Sequence, residues 1–203
     1  ASFIFALGLP SLCIATVSFH SEVLPAELIL NIKSSLENVP FPPLLEALIM
    51  QVVLELLREA AIRLPGPIAQ TIGIVGGLVI GTAIVEANLV SNMMIIVVAL
   101  TAISSFAVPS YEMSMSIRLL GFPLMLLSAT FGFIGLVFGL SIILIHLCGL
   151  ETFGTPYFSP LAPFRLNELK DSIVRLPRWL LGERPSDVRA QSQRQEWSSR
   201  EWK

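Results

Sequence analysis

GIVGGLVIGTAIVEAN, residues 73–88, is an apolar stretch that contains four glycines and ends beside a carboxylate. A helix that crosses a membrane without close helix contacts would consist mainly of large apolar residues such as leucine. Small residues let neighbouring membrane helices approach closely. Gly73, Gly77 and Gly81 recur every four residues and therefore form one ridge of a helix. The stretch predicts a membrane helix with a close contact along this ridge.

The composition of the whole chain is typical of a membrane protein. Of its 203 residues, 54% are hydrophobic and 14% are charged, and the mean hydropathy is +0.75. Soluble domains have about 45–50% apolar and about 25% charged residues. We therefore predict an all-α integral membrane protein with about four transmembrane helices and one amphipathic helix. We place the transmembrane domain at residues 1–150 and a C-terminal tail at residues 151–203.

Four uncharged runs are long enough, or nearly so, to be transmembrane helices, because about 20 apolar residues cross a bilayer core of about 30 Å. We expect a short helix after Pro25 in the charged connection that follows the first run. No positively charged leader precedes the first run, so it does not look like a signal peptide, and we expect the chain to be a fragment or a processed form of a longer protein. The predicted spans lie near residues 1–19, 64–85, 87–111 and 119–147.

Residues 44–63 predict an amphipathic helix. At 100° per residue its polar side chains fall within one arc, and Glu46 is the exception. Such a helix either lies in the membrane interface or stands in a bundle as a pore rim; if it also spans, the count becomes five. Glu55 with Arg58, and Glu59 with Arg63, have the spacing of helical ion pairs. The arc consists of Gln51, Glu55, Arg58, Glu59 and Arg63.

The basic residues are concentrated at the C-terminal end, where nine of the thirteen lie after residue 164. Basic residues near span ends favour the cytoplasmic side, so we expect a cytoplasmic tail. We predict that residues 153–179 pack on the cytoplasmic face of the membrane, with Trp179, Arg175 and Arg178 as an interface anchor; the alternative is a soluble tail. The polar chain after about residue 185 is predicted to be disordered.

Motifs for catalysis are not found in the sequence. His20 and His146 are far apart, no nucleophile motif or phosphate-binding loop occurs, and no spacing suits a metal. We expect no enzyme, catalytic residue, cofactor, metal site or nucleic-acid partner. Cys13 and Cys148 are predicted to be plain buried thiols.

The opening stretch also suggests an ion path. Val79, Thr82 and Glu86 are spaced i, i+3 and i+7 and so share a helix face. Repeated around an oligomer, Glu86 would form a cation-attracting ring, Val79 a hydrophobic constriction, and Asn88 a source of neutral oxygen ligands. The simpler alternatives are a packing helix for the glycines and a headgroup contact for Glu86. If another helix lines the path, the candidate pore-rim residues are Gln51, Glu55 and Glu59.

Two features nearer the C-terminus predict structural rather than functional roles. Glu112 and Arg118 are expected on a solvated turn between the third and fourth spans. Gly132, Gly135 and Gly139 repeat the small-residue pattern and predict another tight helix contact.

Several long blocks of the chain resemble the membrane half of the GerA family, the A subunits of bacterial spore germinant receptors and their stage V sporulation AF paralogue. The resemblance runs from about Phe3 to Pro185, and the block LREAAIRLPGPI at Leu57–Ile68 is specific, although Ala61 and Ile62 stand where the family more often has Gly and Val. The other blocks are FHSEVLPAELILNI, VPFPPLLEALIMQVVLE, IVVALTAISSFAVPSY, IRLLGFPLMLL and TFGTPYFSPLAPF.

The resemblance implies a location and a function that composition does not. Family members carry a large soluble N-terminal domain, lie in the inner membrane of the spore and work with B and C subunits. Their A subunits are expected to form a homo-oligomeric ring in the bilayer that passes cations when nutrients are sensed. Nutrient binding belongs to the B subunit, so no nutrient pocket is expected here. The alternative is a non-conducting scaffold that anchors the other subunits.

Overall fold

The structure is a computed structural model that describes residues 2–36, 39–152, 154–159, 161–162 and 164. The predicted helical class is confirmed for this part of the chain, which contains six α-helices, one short 3-10 helix (Ser21–Val23) and two two-residue strands. The predicted contacts and disorder of residues 165–203 lie outside the described residues. The elements are α1 (Ser2–Ser18), α2 (Ala26–Leu36), α3 (Pro43–Arg63), α4 (Gly66–Glu86), α5 (Asn92–Phe106), α6 (Tyr111–Gly149), β1 (Glu151–Thr152) and β2 (Thr155–Pro156).

Two of the described helices, α4 and α6, are long and apolar enough to cross a membrane. The apolar helices α1 and α5 have 17 and 15 residues, fewer than the roughly 20 that a perpendicular span needs. A helical membrane protein is therefore compatible with the structure, and the count of four spans stays a prediction.

Prolines and polar caps set the helix boundaries. α3 begins at Pro43, and α4 has Pro67 in its first turn, where a missing N–H removes no helical hydrogen bond. The short helix predicted after Pro25 is α2. α5 begins later than the predicted third span because Ser91 caps it, with its side chain accepting a hydrogen bond from the Met94 N–H.

The turn predicted around Glu112 and Arg118 is wrong, because α6 already begins at Tyr111. Ser110 lies before the first helical residue, and its Oγ accepts a hydrogen bond from the Met113 N–H at 3.2 Å. This contact satisfies one of the free donors at a helix start. Glu112 is exposed in the first turn, whereas Arg118 lies on the buried side.

The predicted fourth span does not form one continuous helix. Gly132 has φ 62° and ψ −137°, a conformation that is available to glycine and strained for other residues. The chain reverses there, so that a Cβ at Gly139 would lie 2.6 Å from Leu124 Cδ1, and one at Gly135 would overlap the Leu127 carbonyl oxygen. The predicted tight contact is confirmed: Gly135 and Gly139 meet the first limb of the same helix, and Gly132 lies against Phe19 and His20.

The chain divides into two compact units, residues 1–140 and residues 141–203. In the first unit α1 packs along α5, and α3 packs against α4, α5 and α1. The core between these helices includes Ile14, Ala47, Ile84, Met94 and Met125. In the second unit, β1 and β2 pair as an antiparallel hairpin.

Candidate ion path and its buried charge network

The candidate path residues on α4 lie on an open face of the helix. Val79 is 55% exposed, and Thr82 and Glu86 are also exposed. The Thr82 hydroxyl donates to the carbonyl oxygen of Leu78 at 3.0 Å. In the whole of α4, Ile84 is the one buried residue. The face that these residues share is therefore not covered by another described helix of the chain, and its role as an ion path stays a prediction.

The glycines of α4 divide into two groups. A Cβ at Gly76 would meet Leu57 Cδ2 at 2.8 Å, whereas a Cβ at Gly73, Gly77 or Gly81 would meet no atom within 4 Å. The contact between α3 and α4 therefore depends on Gly76, one position away from the predicted ridge. There is open space for a Cβ at each glycine of the ridge, and its role in packing remains a prediction.

Asn88 has a backbone role in the turn that ends α4. Its φ is 50°, in the left-handed region that Asn tolerates better than most residues. The Leu89 N–H donates to the Ile84 carbonyl at 3.1 Å, and the Asn88 N–H to the Val85 carbonyl at 3.0 Å. These two bonds form a Schellman motif, in which the left-handed residue directly follows the helix cap. Asn88 thus fixes where the chain leaves Glu86 and turns toward α5.

Glu46 lies outside the polar arc predicted along residues 44–63, and the structure makes it a candidate functional residue. Its side chain is fully buried, and its Oε2 accepts a hydrogen bond from the Ser91 backbone N–H at 2.8 Å. Oε1 has no hydrogen-bond partner among the described residues. A buried carboxylate is costly without such bonds, and the positive end of α5 provides a favourable environment for it. The signal in the sequence was that Glu46 alone broke the polar pattern.

Arg118 is buried, although the sequence predicted it on a solvated turn. It is 5% exposed, and it binds Glu55 through two hydrogen bonds, from Nε to Oε2 at 3.0 Å and from Nη2 to Oε1 at 3.3 Å. Its Nη1 donates to Ser114 Oγ at 2.7 Å. The bidentate pair joins α6 to α3, which is the geometry that favours arginine over lysine.

Glu55 is shared between two arginines. Arg58 Nη1 donates to Glu55 Oε2 at 3.0 Å, and Arg58 Nη2 lies 3.3 Å from Ser105 Oγ on α5. The Arg58 guanidinium also lies 5.1 Å from the centre of the Phe106 ring, within the range of a cation–π contact. Two guanidiniums and one carboxylate thus connect α3, α5 and α6.

The alternative pore-rim residues do not form one exposed stripe. Gln51 is buried, Glu55 lies in the charge network, and Glu59 pairs with Arg63 in the exposed part of α3. The helical pairs predicted along this arc are confirmed, because Arg63 lies 2.6 Å from Glu59 and Arg58 binds Glu55. The predicted burial of thiols holds for Cys13, whereas Cys148, next to the last residue of α6, is exposed.

Comparison with known proteins gives a consistent family. The model of the Bacillus/Clostridium GerA spore germination protein family matches residues 1–187. Spore germination protein A1 of Bacillus subtilis (strain 168) is 50% identical over 177 residues, covering 87% of this chain and 37% of that protein. Spore germination protein KA of the same organism is 46% identical over 186 residues, covering 92% of this chain and 34% of that protein.

A third relative has the membrane in its name. The protein called Uncharacterized membrane protein YfkQ, also from Bacillus subtilis (strain 168), is 47% identical over 180 residues, which cover 89% of this chain and 35% of that protein. The chain therefore spans about a third of the length of these relatives. No solved structure matches it significantly. From the family match and these identities, the chain belongs to the GerA family of spore germination proteins.

Proposed function

We propose that this chain is the membrane part of a spore germinant receptor subunit, and that several copies form a nutrient-gated cation channel that starts germination. One observation carries this proposal: α4 is a 21-residue apolar helix whose Val79, Thr82 and Glu86 face is exposed, although the helix is anchored to its own chain along another side.

The position of this face suits a path on the axis of an oligomer. Gly76, Ile80 and Ile84 lie on the inward side of α4, against Leu57 or the core. The candidate path residues lie about 130° around the helix from that side, at 100° per residue. A face that points away from its own bundle can meet the equivalent face of other copies around an axis. There, Val79 would narrow the path and Glu86 would concentrate cations at one mouth.

The free glycine ridge supports a homo-oligomer. Gly73, Gly77 and Gly81 have open space at the Cβ position, and small residues are the usual means of close helix contact in lipid. We assign this ridge to contact between subunits. In the same assembly, the chain works with B and C receptor subunits and has no catalytic role.

The proposed location is the inner membrane of the spore, with the C-terminus in the cytoplasm. Support for the membrane comes from α4, which is long and apolar enough to cross a bilayer, and from the apolar limbs of α6 on either side of Gly132. The concentration of basic residues after residue 164 supports the orientation. The spore location and the start of germination rest on the family, whose members are spore germination proteins.

Reconstitution in lipid vesicles tests the channel directly. The purified receptor subunit, alone and with its B and C partners, is incorporated into vesicles loaded with a potassium-sensitive dye, and cation flux is followed with and without nutrient. We expect an oligomer that conducts cations when it is triggered. An oligomer that binds its partners but conducts no cation under any condition would support the scaffold alternative.

A further inference from the structure

The position of α4 in the bundle depends on α3. α4 and α3 form a helical hairpin joined at Leu64 and Pro65, and the main contacts of α4 with other described helices are those with α3. Along this hairpin Gly76 receives the Leu57 side chain. Whatever moves α3 relative to the other helices of residues 1–140 therefore moves α4 with it.

Two glutamates of α3 make polar contacts with those other helices. Near its N-terminal end, Glu46 accepts the Ser91 N–H of α5. Further along, Glu55 binds Arg118 of α6 through both of its oxygens. Because apolar side chains pack almost equally well in several registers, directional bonds of this kind select one position of a helix in a lipid environment. The second contact is a charged, bidentate pair and is the stronger of the two.

Glu55 and Arg118 each bind a further residue of their own helix. Glu55 also binds Arg58, three residues along α3, and Arg118 also binds Ser114, four residues back on α6. If the bond between the helices opens, the Glu55 carboxylate keeps Arg58 and the Arg118 guanidinium keeps Ser114. Opening then leaves Glu55 in an ion pair and leaves Arg118 with one neutral hydrogen-bond acceptor, which lowers the cost of separating a buried ion pair without removing it. Glu55 is 37% exposed, so water can also reach it.

We propose that Arg118 is a positioning residue for the ion path: its pair with Glu55 holds the α3–α4 hairpin against α6, and release of the pair lets α4 move. This inference rests on the proposed function, in which the path follows α4. The closed position of α4 corresponds to the intact pair. Opening shifts the Val79 constriction away from the position in which it blocks the path.

Distance measurements test the position of α4 without reference to flux. Spin labels are placed at Leu78 on α4 and Leu119 on α6, which are 67% and 70% exposed, in the full-length receptor subunit in lipid nanodiscs. Labelled subunits are diluted with unlabelled ones so that distances within one chain dominate. We expect a narrow distribution for the parent protein and a broad, shifted one for Glu55→Gln and Arg118→Gln, together with a several-fold increase in cation flux without nutrient.

Matched variants separate positioning from a general loss of structure. The exchange Glu55→Arg with Arg118→Glu, made together with Arg58→Gln so that two arginines do not repel each other along α3, restores an ion pair between the helices and should recover the narrow distribution and the low flux. Glu112→Gln removes an exposed carboxylate in the first turn of α6 and should change neither. If Arg118→Gln does not fold, Arg118→Lys retains the charge without the bidentate geometry and should broaden the distribution partially.

The outcomes distinguish this inference from the channel proposal. Two results would overturn the positioning role while leaving the channel proposal intact. One is a distance distribution that stays at the parent values in the single variants. The other is an exchange variant whose distribution is no closer to that of the parent than the distribution of Arg118→Gln. A third result is that the single variants broaden the distance distribution, the exchange narrows it again, and the protein never conducts. This result would confirm that the pair positions α4 and would rule out the ion path.

Discussion

The Glu46 carboxylate on α3 accepts the backbone N–H of Ser91, the cap of α5, at 2.8 Å. In a capping box this N–H is taken by a glutamate three residues into the same helix. In α5 that position is Met94, whose own N–H binds the Ser91 side chain. Glu46 therefore completes the cap from a different helix, and it joins the start of α3 to the start of α5.

We predict that Glu46→Ala destabilises the protein by about 1–3 kcal/mol, because it leaves the buried Ser91 N–H without an acceptor. Glu46→Gln retains an acceptor oxygen and should cost less. Denaturant unfolding in detergent, followed by circular dichroism, measures both variants. Glu112→Gln, which changes an exposed acid in the first turn of α6, is the control and should have little effect. Equal stability of the Ala and Gln variants would show that the hydrogen bond does not matter.

Gly132 should tolerate no side chain. Its φ is 62°, and a Cβ there would lie 3.2 Å from both Phe19 and His20. We predict that Gly132→Ala lowers the free energy of unfolding by about 1–3 kcal/mol from backbone strain. Gly121 lies in the regular part of α6 with no atom within 4 Å of a Cβ, so Gly121→Ala should be neutral or stabilise by up to about 1 kcal/mol. A thermal unfolding series in detergent makes the comparison, and equal shifts would contradict the reversal at Gly132.

Gly76 and Gly77 are adjacent residues with different predicted roles. Gly76→Val must displace Leu57, whose Cδ2 would lie 2.8 Å from the new Cβ, and should destabilise the chain by about 1–3 kcal/mol, as overpacking does. A Cβ at Gly77 meets no atom within 4 Å, so Gly77→Val should leave the stability of the single chain unchanged while weakening the oligomer. Unfolding experiments and native mass spectrometry measure the two effects. A Gly77→Val oligomer as stable as the parent would remove the ridge from the subunit contact.

Val79→Ala should increase cation flux in the absence of nutrient several-fold, because a smaller apolar side chain widens the constriction and lets water enter it. Val85→Ala makes the same chemical change six residues along α4, about 120° away around the helix, and should conduct like the parent. Dye-based flux from vesicles measures both. If both variants conduct like the parent, another helix lines the path.

Glu86→Gln should lower cation flux by about tenfold at low ionic strength, because a ring of carboxylates raises the local cation concentration. The difference should shrink as salt is added, since exposed charges are screened. Assembly should be unaffected, because Glu86 is exposed and ends α4. Single-channel or vesicle recordings at several salt concentrations are compared with Glu112→Gln. An unchanged flux at low salt would place the cation-attracting group elsewhere.

Features that depend on neighbours within one helix could be predicted from the sequence. The amphipathic helix at residues 44–63 forms as α3 with one residue added at its start, since its period is a local property. The ion pairs of Glu55 with Arg58 and Glu59 with Arg63 form at three and four residues' separation, where side chains on one helix meet. Prolines near the starts of α3 and α4 act through their own backbone geometry.

Features that depend on which helices meet could not be predicted in this way. The residues around Arg118 in the sequence predict a solvated cation. Arg118 is buried because α6 brings it to Glu55, 63 residues earlier in the chain. Glycine spacing on α4 favours the ridge of Gly73, Gly77 and Gly81, yet Gly76 makes the contact because α3 approaches from that side.

By itself the sequence determined the helical elements, their apolar character and the family, because helix period, proline geometry and residue identity are all carried by short stretches of chain. Only the tertiary structure decided that Glu46 and Arg118 are buried and that the last apolar run turns back at Gly132. The physical reason is that a buried charge is stable only when a partner reaches it. The partners of these residues lie on helices distant in the sequence, which only the packed bundle brings within hydrogen-bond distance.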